Sequence, residues 1–316
     1  MQIGVQVPHR GPMTDPACIQ AIVSEGEALG YEVLIVSDHI VVPKDIDSRY
    51  PYSEAGDFPG RVGGECMEQL TLLAYVAAMT KKAKLLTSVM VVPHREPLLA
   101  AKSLATTDQL SGGRLIVGCG TGWMREEFDA IGADFDNRGA VTDDYIRIFK
   151  KVWTEDDPQH SSQWSTFSNI AFRPQPLQKP HPPIWIGGES GRAQRRVAEL
   201  ADGWYPLGAN PRQPLDTPDR YLAARDQLWK KVEAAGRSPE DITLAYNAPF
   251  HFSEEQKNRE GTRQFLTGSA QARADDLNAL KDIGVSTVVI STAGTTLEKT
   301  LDRMREFQEN VRPLMS

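Results

Sequence analysis

The sequence predicts a closed (β/α)8 TIM barrel with insertion loops. Short apolar runs alternate with helix-like segments from one end of the chain to the other, and there are eight such pairs. The runs are apolar almost throughout, as strands covered on both faces are. Eight pairs in 316 residues favour a closed barrel over an open doubly wound sheet, and the whole chain, 1–316, reads as one domain.

The elements follow in order. Ile3–Val7 is the first strand. Asp15 and Pro16 start a helix, with a capping acid and proline at the first helical position. Ile19, Ile22, Val23 and Leu29 share one face of it, and Gly30 stops it. Val33–Ser37 is the second strand, Met67–Thr80 a helix and Lys84–Val92 the third strand. Leu98–Ser111 is helical and ends at Gly112-Gly113; Arg114–Cys119 is the fourth strand. Val141, Tyr145, Ile148, Phe149 and Val152 mark the next helix. Strand five is Ile184–Gly187, with its helix at Arg192–Ala201, and strand six is the very short Gly203–Pro206. Asp219–Ala235 is a helix closed by Gly236, and Ile242–Asn247 is strand seven. Ser269 caps a helix ending at Gly284, Val285–Ile290 is strand eight, and a last helix begins near Thr296. Two connections are too long for turns. Residues 39–64 leave the C-terminal end of strand two, so they should overhang the barrel mouth. Residues 154–183 carry six prolines, with Ile170-Ala171-Phe172 as a candidate extra strand.

Composition narrows the function. The chain is 40% apolar and 24% charged, with a net charge of −7 spread without a basic patch, which argues against a nucleic-acid partner. Cys18, Cys66 and Cys119 are scattered, with neither metal-ligand nor disulfide spacing. No apolar run approaches membrane-spanning length, and the N-terminus reads as a strand rather than a leader. A cytoplasmic protein without a metal site is expected.

The candidate site residues lie where strands end. Asp38 and His39 close strand two, at the edge where α/β folds place their chemistry; a solvated loop pair is the alternative. Gly118, Gly120 and Gly122, with Thr121 between them, end strand four; they admit a flat ligand or make a tight turn. Gly187, Gly188, Glu189 and Ser190 precede a helix and read as a phosphate cradle or simply a capped turn, with the Glu189 carboxylate expected to turn away. Ser88 interrupts the apolar third strand and needs a partner. His94, Arg95, Arg195 and Arg196 read as solvated, and Trp123, Trp185 and Trp204 as core or rim. Arg49, Tyr50, Tyr52 and Arg61 of the first long loop are candidate pocket residues.

Five stretches together resemble the bacterial luciferase-like superfamily, particularly its deazaflavin-dependent oxidoreductase branch. They are Val36–His39, Asp108–Arg114, Gly118–Trp123, His181–Gly188 and Ala201–Trp204, and they span most of the chain. The resemblance implies a barrel that binds coenzyme F420, or alternatively FMN, at its C-terminal mouth. It implies His39 as the catalytic imidazole. Asp38, Ser88, Val89, Gly120, Thr121, Gly122, Gly187, Gly188, Glu189 and Ser190 are implied as cofactor contacts. A non-prolyl cis peptide is implied at Ser88-Val89 or the next bond. Related barrels commonly dimerise, so a homodimer is expected by analogy. The chain departs from the deazaflavin pattern at Trp123, where some relatives carry a proton-donating carboxylate; Glu126 and Glu127 come later.

The resemblance implies hydride transfer between F420 and a small organic substrate. The alternative is a two-component monooxygenase that uses reduced FMN supplied by a partner reductase. A flavin-binding protein without activity is disfavoured by the intact Asp38-His39 pair. A flavin-free isomerase or aldolase is disfavoured by the lack of a well-placed lysine.

Overall fold

The computed structural model describes residues 1–60, 64–258 and 260–316. Eight parallel staves close into a barrel. They are β1 (Gln2–Gln6), β2 (Val33–Val36), the broken stave β3 (Lys84–Thr87) and β4 (Met90–Val91), β5 (Leu115–Gly120), β8 (Ile184–Gly187), β9 (Gly203–Tyr205), β10 (Thr243–Ala248) and β11 (Val285–Ile290). Pairing of β1 with β11 and of β3 with β5 completes the ring. Strand residues alternate between two apolar layers. Val33, Ile35, Leu86, Ile116, Trp185, Tyr205, Ala245 and Val289 fill the barrel interior. Their neighbours, such as Leu34, Val36, Leu85, Val117 and Val288, pack outward against the helices.

The helices are α1 (Pro16–Ala28), α2 (Gln69–Met79), α3 (Pro97–Ser111), α4 (Arg125–Ile131), α5 (Arg138–Thr154), α6 (Gly191–Leu200), α7 (Pro218–Ala234), α8 (Ala270–Asp282) and α9 (Leu297–Glu306). Asp15 caps α1 as expected, accepting from the Ala17 and Cys18 N–H groups at 3.1 and 3.0 Å. No helix among the described residues is long and apolar enough to cross a membrane.

Three sequence expectations change. The third strand is not continuous over 84–92. It stops at Thr87, passes a cis peptide between Ser88 and Val89, resumes for two residues and ends in a 3-10 turn, Val92–His94. The 170–172 segment is not a strand; the hairpin in that connection pairs β6 (His160–Ser161) with β7 (Thr166–Phe167). Seven-residue α4, which the apolar pattern did not show, follows β5.

The broken stave explains the glycines of β5. A Cβ at Gly118 would lie 2.1 Å from the Thr87 carbonyl oxygen, and one at Gly120 would lie 2.6 Å from Val89 Cγ2. Gly122, at φ +79°, is pressed by Phe128 and Val91. Contact between neighbouring staves therefore requires these glycines, before any ligand is considered.

Several stretches that carry the resemblance are scaffold. Asp108 accepts from the Gln178 backbone and side-chain amides at 3.0 and 2.7 Å. Arg114 donates to the Ala77 and Thr80 carbonyls, both at 3.0 Å, closing the end of α2. Asp202 accepts from the Ile184 N–H at 2.8 Å, where β8 begins. Conditions at this end of a barrel govern stability, while the opposite end carries chemistry.

Candidate active site

The C-terminal mouth holds a cleft of about 1020 Å³. Of the residues the resemblance implies as catalytic or cofactor contacts, all but Glu189 line it: Asp38, His39, Ser88, Val89, Gly120, Thr121, Gly122, Gly187, Gly188 and Ser190. The strand ends that the sequence placed far apart thus meet around one space.

His39 is 9% exposed, and its Nδ1 lies 2.8 Å from Glu127 Oε2. Glu127, from the first turn of α4, is 1% exposed. Its other oxygen accepts from the Ile40 and Val41 N–H groups at 2.7 and 3.3 Å. A carboxylate opposite Nδ1 fixes the proton on that nitrogen and leaves the Nε2 lone pair free. Glu126 accepts from the Asp47 and Ser48 N–H groups at 2.8 and 2.9 Å. The start of α4 therefore anchors the first long loop.

Asp38 is held differently. Its carboxylate takes a two-pronged pair from Arg95, both contacts at 2.8 Å, and the Val91 N–H at 2.9 Å. Arg95 also donates to Glu68 at 2.6 Å. Arg95 is not the solvated side chain expected from sequence. It and Asp38 tie the turn after β2 to the short stave β4. The His94 side chain is buried too, edge-on to Phe128 with ring centroids 4.6 Å apart, and burial lowers its pKa.

The cleft floor is Ser88 and Val89. Ser88 Oγ lies 3.0 Å from the Tyr205 hydroxyl, the partner its burial demanded. The loop over 39–64 forms an aromatic wall: Tyr50 meets Phe58 and Trp123 at 5.4 and 5.2 Å, and Phe58 meets His39 at 5.0 Å. Tyr50 and Tyr52 line the cleft, while Arg49 turns to the Glu54 and Ala55 carbonyls. Arg61 lies outside the described residues. Trp123 is a rim residue; Trp185 and Trp204 are core.

At the far side the N-terminus of α6 faces the cleft. Gly188, at φ +100°, turns the chain, and Ser190 Oγ caps Ala193 N–H at 3.2 Å. Glu189 turns away as expected, accepting from Leu207 N–H and Asn210 Nδ2, both at 2.8 Å; burial raises its pKa. Exposed Arg192 stands beside half-buried Arg138, whose pKa is lowered by burial and then by the Arg125 and Arg192 charges. Arg196 is not solvated but 5% exposed and paired with Asp143; Arg195 reaches Asp143 at 3.3 Å.

Sequence reasoning named Glu127 only as a late acid and missed His9, Arg10, Phe58, Arg138, Tyr205 and Asn247. His9 and Arg10 follow β1 as Asp38 and His39 follow β2, so the strand-end rule would have found them.

A closed parallel barrel with titratable groups gathered at its C-terminal mouth defines a barrel enzyme. The chain belongs to the luciferase-like monooxygenase family, whose model matches residues 1–284. It is 38% identical over 184 residues to the FMNH2-dependent dimethylsulfone monooxygenase of Pseudomonas putida; the match covers 57% of this chain and 48% of that protein, about half its length. A monooxygenase from Streptomyces bottropensis superposes with TM-score 0.76 at 20% identity, covering 99% of both chains. The coenzyme F420-dependent tetrahydromethanopterin reductase of Methanopyrus kandleri gives 0.74 at 17% identity, covering 100% of this chain and 99% of that one.

Proposed function

We propose that the protein transfers a hydride between coenzyme F420 and a small organic substrate, with His39 as acid/base. The observation that carries this reading is the His39–Glu127 contact of 2.8 Å at a cleft of about 1020 Å³.

The residues fit such a cofactor. The cleft has the size of known small-molecule sites. At one end, the first N–H groups of α6, Ser190, Arg192 and Arg138 suit a phosphate, since two cations stand together there at the positive end of a helix. Val89, Gly120 and Thr121 would support the ring, and Ser88 would meet its edge. When bound, F420 gives or takes a hydride, whereas reduced FMN activates oxygen. His39 Nε2 moves the proton at the substrate, and Glu127 keeps the imidazole oriented for that task. Tyr50, Phe58 and Trp123 keep water from the reacting groups.

A second reading is a reduced-FMN monooxygenase served by a separate reductase. The 38% identity to the dimethylsulfone enzyme favours it, as does the aromatic wall. Separate calorimetric titrations with F420, FMN and FMNH2 distinguish the two. Tight F420 binding with weak FMN and FMNH2 binding supports hydride transfer. The reverse order overturns it in favour of the monooxygenase.

A further inference from the structure

The first stave ends in two side chains that nothing above uses. His9 is 1% exposed, and neither of its ring nitrogens has a hydrogen-bond partner. Arg10 follows it, and its Nη1 is buried and also unpartnered. Both line the cleft. The Arg10 guanidinium lies 4.8 Å above the Phe58 ring, the same ring that packs against His39.

The local acids are already committed. Asp38 is paired with Arg95, and Glu127 bonds His39, Ile40 and Val41. Among the described residues no carboxylate pairs with Arg10. A half-buried cation without a counter-ion is costly, and so is a buried imidazole without a partner. Burial, then the Arg10 charge, pushes the His9 pKa down to about 3, so the ring is neutral near pH 7, with one N–H to donate.

The cofactor's phosphate is not the missing anion. The α6 cradle follows β8, and β8 stands four staves from β1 in either direction round the ring. The two cationic ends are therefore on opposite sides of the mouth, with His39 on the Arg10 side.

We propose that His9 and Arg10 form an oxyanion subsite and that the substrate is a small organic acid, a carboxylate or sulfonate. Its charged group pairs with Arg10 and accepts the His9 N–H, which brings the rest of the molecule toward His39. The inference rests on the redox reading for what the substrate undergoes, not for the subsite itself.

Calorimetric titration of the purified protein with butyrate, butanesulfonate and the neutral butyramide tests it. One or both anions should bind at least about tenfold more tightly than the amide. Arg10→Gln should erase that preference, and Arg10→Lys should keep part of it. Arg192→Gln, at the exposed start of α6, should leave the preference intact, because that cation lies across the mouth. Equal binding of acid and amide by the wild-type protein overturns the subsite, as does a preference that survives in Arg10→Gln or disappears in Arg192→Gln. The wild-type and Arg192→Gln arms decide the matter even where an Arg10 variant folds poorly. Parallel titrations with F420 and FMN separate the two claims: an anion preference without binding of either cofactor sinks the redox reading alone, and cofactor binding without the preference sinks the subsite alone.

Discussion

His39 Nδ1 and Glu127 Oε2 lie 2.8 Å apart, both nearly buried, although 88 residues separate them in the chain. One residue follows the end of a strand by three positions, and the other sits in the first turn of a seven-residue helix. Their meeting makes an imidazole with one committed nitrogen and one free.

Replacing His39 with Ala should remove most turnover, by about 100-fold or more, while cofactor affinity stays within a few-fold. Steady-state kinetics beside a cofactor titration checks this. Turnover like that of the wild type would refute the assignment.

Glu127→Gln keeps an oxygen for the Ile40 and Val41 N–H groups but takes the charge from Nδ1. A fall in kcat of roughly 10- to 100-fold with little change in KM is expected, because positioning acts in the transition state. A rise in KM alone would make Glu127 only a loop anchor.

Arg95→Leu strands the buried Asp38 carboxylate. The loss should be roughly 3–5 kcal/mol, read from denaturant unfolding. Adding Asp38→Asn should restore part of it, since the unpaired charge is what costs.

Gly120→Ala should destabilise by about 1–3 kcal/mol, because the new methyl meets Val89 Cγ2 at 2.6 Å. Val89→Ala in the same chain should recover much of that. Gly118→Ala has no such remedy: its methyl meets the Thr87 backbone oxygen at 2.1 Å, and thermal unfolding should show a larger loss.

Acid should weaken the fold. Burial pushes His9 and His251 from the ordinary 6.5 down to about 3. Between those values the unfolded chain takes up protons that the folded chain refuses, so stability falls as pH drops through that window. Each histidine costs about 2 kcal/mol at pH 5. His251→Phe should flatten the stability–pH curve between pH 6.5 and 4; an unchanged slope would contradict the buried neutral ring.

The barrel was legible because its strands are covered on both faces, so Val33–Val36 or Leu115–Gly120 admits no solvent-facing alternation. The mouth was legible for a related reason: polar groups directly after such runs have nowhere else to go. The break in the third stave was not legible from the apolar pattern, because Leu85–Val92 is equally apolar whole or interrupted; only the family resemblance pointed to it, at Ser88-Val89 or the next bond, and the first of these is the one found. The glycines of β5 were legible as close contacts, but the neighbour they accommodate is the next stave. Glu127 was hidden because acids in a first helical turn are common on surfaces. Its burial depends on where the loop after His39 lies, a tertiary fact with no local signature.

One carboxyl group holds both the imidazole and the start of the chain segment that roofs it. The two oxygens of Glu127 share that duty, one on the ring and one on the Ile40 and Val41 N–H groups, so any change that displaces the segment also unsettles the imidazole.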